Sequence, residues 1–203
     1  MNVALIGATG NVGSRLLAEL LRRGHTVSAI VRNPERLPTL AGVRAERGNV
    51  ADEAGLTALL AGHDAAISAV RFTDSDPRIL VDAVKAAGVP WYLVVGGAGS
   101  LEVTPGVKLL ATPTFPAAYR PEALAGAAFL DALRAETDLN WTFISPSALF
   151  GPGERIGKFR VGGDQLLTDV EGKSRISFED FAIALVDELE KPAHCRTRFT
   201  VGY

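Results

Sequence analysis

One cysteine, Cys195, stands alone among 203 residues. Neither an intramolecular disulfide nor a thiolate metal site can be built from it, and with no base placed beside it the thiol reads as inert. The three histidines, His25, His63 and His194, are scattered without ligand spacing, so no metal site is expected. His25 before a strand and His63 after a helix read as surface or capping residues. Charge of one sign is also missing: 21 Lys and Arg face 23 Asp and Glu, a net charge of −2. That balance argues against a nucleic-acid or anionic-membrane partner, which requires clustered cations. No apolar run reaches the ~18 residues needed to span a bilayer. The start MNVALIGATG has no basic n-region and reads as a strand, not a signal peptide, so a cytoplasmic location is expected. With 47% hydrophobic and 22% charged residues the composition is globular, and residues 1–203 read as a single domain.

What is present alternates. Apolar strand-like runs at Asn2–Ile6, Thr26–Val31, Val43–Glu46, Ala65–Val70, Trp91–Val95 and Trp141–Ser145 are separated by helical patterns. The first helix carries Leu16, Leu17, Leu20 and Leu21 at 3–4 spacing and is closed by Gly24, and Asp52 caps the second. Asp76–Ala87 and Pro121–Ala135 read as the third and fourth helices, Phe178–Glu190 as the last, and Arg198–Val201 as a closing strand. Ser177 reads as the cap of that last helix, with Asp180 in a structural role three positions on. The pattern predicts an α/β fold, a doubly wound and mainly parallel sheet with helices on both faces. Two stretches depart from it: a Pro-rich loop over residues 100–118 and a Gly-rich segment over 150–168.

Between the first strand and first helix lies Gly7-Ala8-Thr9-Gly10-Asn11-Val12-Gly13. Gly7 permits the tight turn, Gly10 lets a pyrophosphate approach the backbone, and Gly13 lets the helix pack closely. The free amides and the positive helix end then face phosphate, with Thr9, Asn11 and Val12 in the cradle. Strand before and helix after point to a dinucleotide site, against the plainer reading of a tight turn without a ligand. The second strand ends in Arg32, 22 residues beyond Gly10, with Arg36 nearby and the acid Glu35 beyond Pro34. An acid at that place would bind the ribose hydroxyls of NAD, whereas guanidinium groups suit a 2′-phosphate. NADP(H) is therefore expected over NAD(H), with exposed-loop solvation as the alternative use of the arginines.

The phrases GATGNVGSRLLAELLRRGHTVSAIVRNPERL, VVGGAGSLEVTPG, WTFISPSALFGPGERIGKFRVGGDQLLTD and SRISFEDFAIALVDELEKP resemble the NAD(P)H-binding family of atypical short-chain dehydrogenases. The likeness is to the NADH-flavin reductase branch, with biliverdin reductase B and NmrA-like proteins as relatives. The resemblance implies a single-domain Rossmann fold and adenine contacts near Asn49 and Val50. It also implies backbone from Ser68, Ala69 and Val70 along the cofactor, with Gly97, Ser100, Ser145 and Pro146 nearer the nicotinamide.

One departure matters. Short-chain dehydrogenases use Tyr-x-x-x-Lys, and the corresponding run here is Tyr119-Arg120-Pro121-Glu122-Ala123. Without the lysine, alcohol–ketone chemistry loses its acid–base group, which weakens an isomerase or dehydratase reading. Hydride transfer to a flavin or quinone demands less. Ser100 is the candidate polar group beside such an acceptor, although a turn-capping role fits it equally. Leu109, Leu110, Phe115 and Tyr119 suggest an apolar lid over a small aromatic acceptor, with Phe115 and Tyr119 as substrate contacts, or else a homodimer interface. Arg155, Lys158 and Arg160 are candidates for an acceptor phosphate, or for a solvated face. These features support two functions: an NADPH-dependent reductase of a flavin or quinone-like acceptor, and a non-catalytic NADP(H) sensor of NmrA type acting through a protein partner.

Overall fold

The computed structural model describes residues 1–203. In chain order its elements are β1 (Asn2–Ile6), α1 (Asn11–Arg22), β2 (Thr26–Val31), β3 (Val43–Arg47), α2 (Glu53–Leu60), β4 (Ala65–Ser68), α3 (Pro77–Ala86) and β5 (Tyr92–Val95). A hairpin of β6 (Glu102–Thr104) and β7 (Val107–Lys108) precedes α4 (Arg120–Arg134) and β8 (Trp141–Pro146). Then come β9 (Leu149–Gly151), β10 (Arg160–Gly162), β11 (Arg175–Ser177), α5 (Phe178–Glu190) and β12 (Thr197–Gly202).

Eight strands form one sheet in the order β10-β12-β8-β5-β4-β1-β2-β3, all parallel except β10, which runs antiparallel to β12. Period-2 alternation divides the core between the two faces. Val3 and Leu5 of β1 point to a cluster with Leu16 and Leu20 of α1 and Phe181 and Leu185 of α5. Ala4 and Ile6 point the other way, to Leu56 of α2, Leu80 of α3 and Phe129 of α4. The fold is the expected doubly wound Rossmann architecture, built as one α/β unit. No helix is long and apolar enough to cross a membrane.

Local chemistry sets the element ends. Asp52 Oδ1 accepts from the Gly55 amide at 3.0 Å and Asp76 Oδ1 from the Arg78 amide at 2.8 Å, capping α2 and α3. β4 ends at Ser68, two residues before the sequence pattern suggests, with the Ala69 amide still donating to the Ile6 carbonyl at 2.9 Å.

Several expectations are corrected. Residues 100–118 are not a bare loop: β6 and β7 pair, and Leu109–Ala111 and Ala117–Tyr119 are 3-10 turns. The segment is anchored by fully buried Leu101 and by amides of Leu109 and Leu110 donating to the carbonyls of Leu101 and Gly99. The 150–168 segment contributes β9 and β10 to two sheets. His25 and His63 are buried and not on the surface: His25 Nε2 lies 3.0 Å from Glu190, while His63 does cap α2, meeting Leu60 O at 2.9 Å and Ser28 Oγ at 2.8 Å. Ser177 Oγ caps α5 by accepting from the Asp180 amide at 3.0 Å. The Asp180 carboxylate has its own structural partners, the Gly157 amide and the Tyr203 hydroxyl.

Candidate functional site

The parallel register brings five strand ends to one edge. Ile6 pairs with Ile30 and Ser68, Ser68 with Val94, and Val95 with Ile144. The residues just beyond those pairs therefore lie side by side, Gly7, Val31, Ala69, Gly96 and Ser145, with Arg32 one residue further along β2. This carboxyl edge, where strand order reverses about β1, is where open α/β sheets bind ligands.

The turn after β1 is tight for steric reasons. Gly7 has φ +89°, and a Cβ there would lie 2.7 Å from the Ala69 carbonyl oxygen. A Cβ on Gly13 would lie 2.0 Å from the Gly7 carbonyl oxygen. Both positions exclude any side chain. Gly10, the residue before α1, has an open outer side: a Cβ there meets only Gly7 O at 3.3 Å and Ala69 O at 3.8 Å. No side chain caps α1 and no acid occupies its first turn. The first helical hydrogen bond is Ser14 N–H to Gly10 O, so the amides of Asn11, Val12 and Gly13 have no acceptor within the chain. Unpaired amides at a positive helix end, beside exposed Thr9, form an anion cradle that fits a pyrophosphate.

At the β2 end, Arg32 and Arg36 are exposed and take part in no ion pair. Arg47 donates to the Arg32 carbonyl at 2.8 Å and holds Glu35 at 3.1 Å. The one acid near the ribose position is thereby turned to Arg47, leaving two free guanidinium groups. Asn49 folds back on itself, its Oδ1 accepting from the Ala51 amide at 3.1 Å, while Val50 packs on the α2 side of the core. Ser68 offers backbone alone, since its buried hydroxyl accepts from Tyr92 at 3.0 Å. Burial pushes the Tyr92 phenol well above its ordinary range, with the Ser68 contact opposing it, so this pair stays neutral.

Beyond β5 and β8 a cavity of about 430 Å³ opens between the Gly96–Ser100 turn and the start of α4. Gly97, Ser100, Phe115, Tyr119 and Pro146 all line it, as do Phe72, Phe150 and Glu122, which sequence reasoning missed. Ser145 does not line it; its hydroxyl donates to Gly97 O at 3.0 Å and fixes the turn. Glu122 accepts from the amides of Phe72 at 2.7 Å and Thr73 at 3.1 Å. Phe72 is thus held against Phe129 and Phe143, with ring centroids 5.3 and 6.0 Å away. The available signals were positional: Phe72 comes soon after the β4 end, and Glu122 sits in the first turn of α4.

The missing lysine has a steric counterpart. Ala123 packs on the turn so closely that a Cβ on Gly99 would come within 2.7 Å of the Ala123 Cβ. Ser100 Oγ is not simply a free group in the wall, for it accepts from Arg198 Nη1 at 3.0 Å. The basic residues of the 150–168 segment face elsewhere. Arg155 makes a two-pronged pair with Glu19 at 2.8 and 3.0 Å, and Arg160 donates to the carbonyls of Thr168 and Tyr203. Neither these two nor Lys158 lines the cavity, so its lining gives no support to a part in holding an acceptor phosphate. A second cavity, about 460 Å³ between α5 and β12, lies off the strand ends, and its acids Asp187, Glu188 and Glu190 are paired with Arg23, His194 and His25.

Comparison with known proteins agrees with this geometry. A family model described as NAD(P)H-binding matches residues 7–192. Three solved structures bear provisional descriptions. An exported protein from Burkholderia pseudomallei is 45% identical with TM-score 0.91, covering 100% of both chains. An epimerase from Bacteroides thetaiotaomicron is 40% identical with TM-score 0.95, covering 100% of this chain and 96% of that one. An NADH-flavin reductase from Streptococcus pneumoniae is 37% identical with TM-score 0.80, over 100% and 99%. The chain belongs to the NAD(P)H-binding family.

Proposed function

We propose that the chain is an NADPH-dependent reductase that passes hydride to a flavin or quinone-like acceptor. The observation carrying this reading is the continuity, through Gly96–Ser100, between the glycine-loop edge and a cavity rich in aromatic side chains. No lysine, arginine or histidine lines that cavity, and its one acid, Glu122, is already satisfied by Phe72 and Thr73. Such a wall suits a flat, uncharged aromatic ring.

When bound, NADPH would supply the hydride that reduces the acceptor. The chain's own residues hold and orient. The loop from Gly7 through Thr9, Gly10, Asn11 and Val12 to Gly13 binds the pyrophosphate, and Arg32 with Arg36 the 2′-phosphate. NADH fits the same cradle without that last contact, hence more weakly. Asn49 and Val50 border the adenine. Backbone at Ser68, Ala69, Val70 and Gly97, with Ser145 and Pro146, lines the nicotinamide half, while Phe115 and Tyr119, joined by Phe72 and Phe150, stack on the acceptor.

An epimerase reading is disfavoured because position 123 is Ala and is packed against Gly99. The absence of lysine and histidine from the cavity favours a second reading, an NADP(H) sensor acting through a protein partner. Anaerobic NADPH oxidation with riboflavin, FMN and a small uncharged quinone, beside an enzyme-free blank, separates the two. Turnover is expected, with riboflavin at least as good as FMN. Tight NADPH binding without turnover would replace the reductase by the sensor.

A further inference from the structure

Ser100 is 6% exposed, and its oxygen accepts a hydrogen bond from Arg198 Nη1 at 3.0 Å. Its hydroxyl hydrogen finds no acceptor within the chain. Arg198 arrives from β12, with its side chain 2% exposed, and is ion-paired to Asp164. Asp164 is itself tied to β6: its carbonyl accepts from the Glu102 amide at 2.9 Å, and the Glu102 carbonyl accepts from Leu166 at 2.9 Å. The guanidinium is therefore immobilised from two sides, by the sheet and by the joined loops.

A hydroxyl whose oxygen faces a fixed cation directs its hydrogen away from that cation. Ser100 lines the acceptor cavity and donates to nothing within the chain, so a group in that cavity is the partner its hydrogen can reach. We infer that Ser100 donates a hydrogen bond to the ring oxygen of the acceptor, and that Arg198 is a positioning residue that aims this hydroxyl and strengthens it as a donor. The inference rests on the reductase reading of the same cavity. As hydride reaches the acceptor, negative charge develops on an oxygen conjugated with the receiving atom. A polarised O–H aimed there stabilises that charge, and no proton need leave Ser100. Burial pulls the Arg198 pKa down while Asp164 opposes it, yet a guanidinium stays charged throughout the working range. A cation behind a hydroxyl is the arrangement Tyr-x-x-x-Lys provides, here assembled from a serine and the last strand.

The test is a double-mutant cycle with two readouts: riboflavin binding by quenching of its fluorescence without NADPH, and kcat for anaerobic NADPH oxidation. Ser100→Ala should weaken riboflavin binding about fivefold and lower kcat about tenfold, with NADPH affinity unchanged. Arg198→Gln should do the same, and the double variant should be no worse than Ser100→Ala alone. Should Arg198→Gln fail to fold, Arg198→Lys replaces it in the cycle, lowering kcat only where Ser100 is present. Losses that multiply in the double variant, or a Ser100→Ala protein that binds and turns over like wild type, would overturn the inference while leaving the reductase reading standing. A wild-type protein that neither binds riboflavin nor oxidises NADPH with any acceptor would overturn both.

Discussion

Gly10 and Gly13 sit one helical turn apart and differ in what a side chain would meet. At Gly13 a Cβ falls 2.0 Å from a backbone oxygen, so Gly13→Ala must move the turn and should lower the melting temperature along with NADPH affinity. At Gly10 the nearest atom is 3.3 Å away, and the side chain would project into the phosphate path. Gly10→Val should keep its circular dichroism spectrum and melting temperature while losing NADPH binding; a folded variant with wild-type affinity would remove the loop from the site. Arg32→Glu probes the other end of the dinucleotide. Trading a free guanidinium for a carboxylate should weaken NADPH by about tenfold or more relative to NADH, one charge-assisted contact being worth that factor. Equal ratios in variant and wild type would leave Arg32 a solvated surface residue. These residues were legible because glycine spacing and the residue at a strand end carry stereochemical meaning. Arg198 was not, because a buried arginine meeting Ser100 across 98 positions is a tertiary event that neither local pattern announces.

Elements built from continuous or periodic apolar runs were read correctly: β1, β2 and α5 have the bounds their patterns gave, since nearly every residue of each is buried in the core. Irregular segments were not. Four prolines in or just after residues 100–118 suggested a long loop, yet the segment is a hairpin and two 3-10 turns around buried Leu101. Helix α4 belongs to the same lesson. Its Gly126 faces Phe72, where a Cβ would come 2.8 Å from the ring, and its Ala123 packs against Gly99 on one side and lines the cavity on the other. Ala123→Lys should therefore not recreate a dehydrogenase dyad. The expected outcome is a protein destabilised by about 1–3 kcal/mol through overpacking, with weakened acceptor turnover and no new alcohol oxidation. Thermal denaturation and an assay with secondary alcohols would check both halves, and alcohol oxidation at a wild-type melting temperature would refute the steric account.

Across the whole molecule, the face carrying α1 and α5 is laced by charge. Burial pushes the Glu19 carboxyl up, but hydrogen bonds from Arg155 and Arg23 outweigh it and hold it below the usual carboxylate range. For Glu179 and Glu190, too, burial raises the carboxyl, and contacts led by Arg15 and Arg23 respectively prevail. Carboxylates depressed in the folded state contribute stability that is complete above their ordinary range and is lost as pH falls through their folded values. The melting temperature should thus be level near neutrality and fall once pH drops below about 4.5, with Glu19→Gln flattening that fall. An acid-insensitive wild type would contradict the lacing. The other face and the carboxyl edge hold the proposed chemistry, and amide hydrogen exchange read peptide by peptide tests that placement most directly. NADPH should slow exchange over residues 7–14, 31–36 and 96–100, and riboflavin added with NADP⁺ should extend protection to 109–119 and 146–150. Protection confined to the α5–β12 cavity, or absent from the glycine loop, would contradict the account.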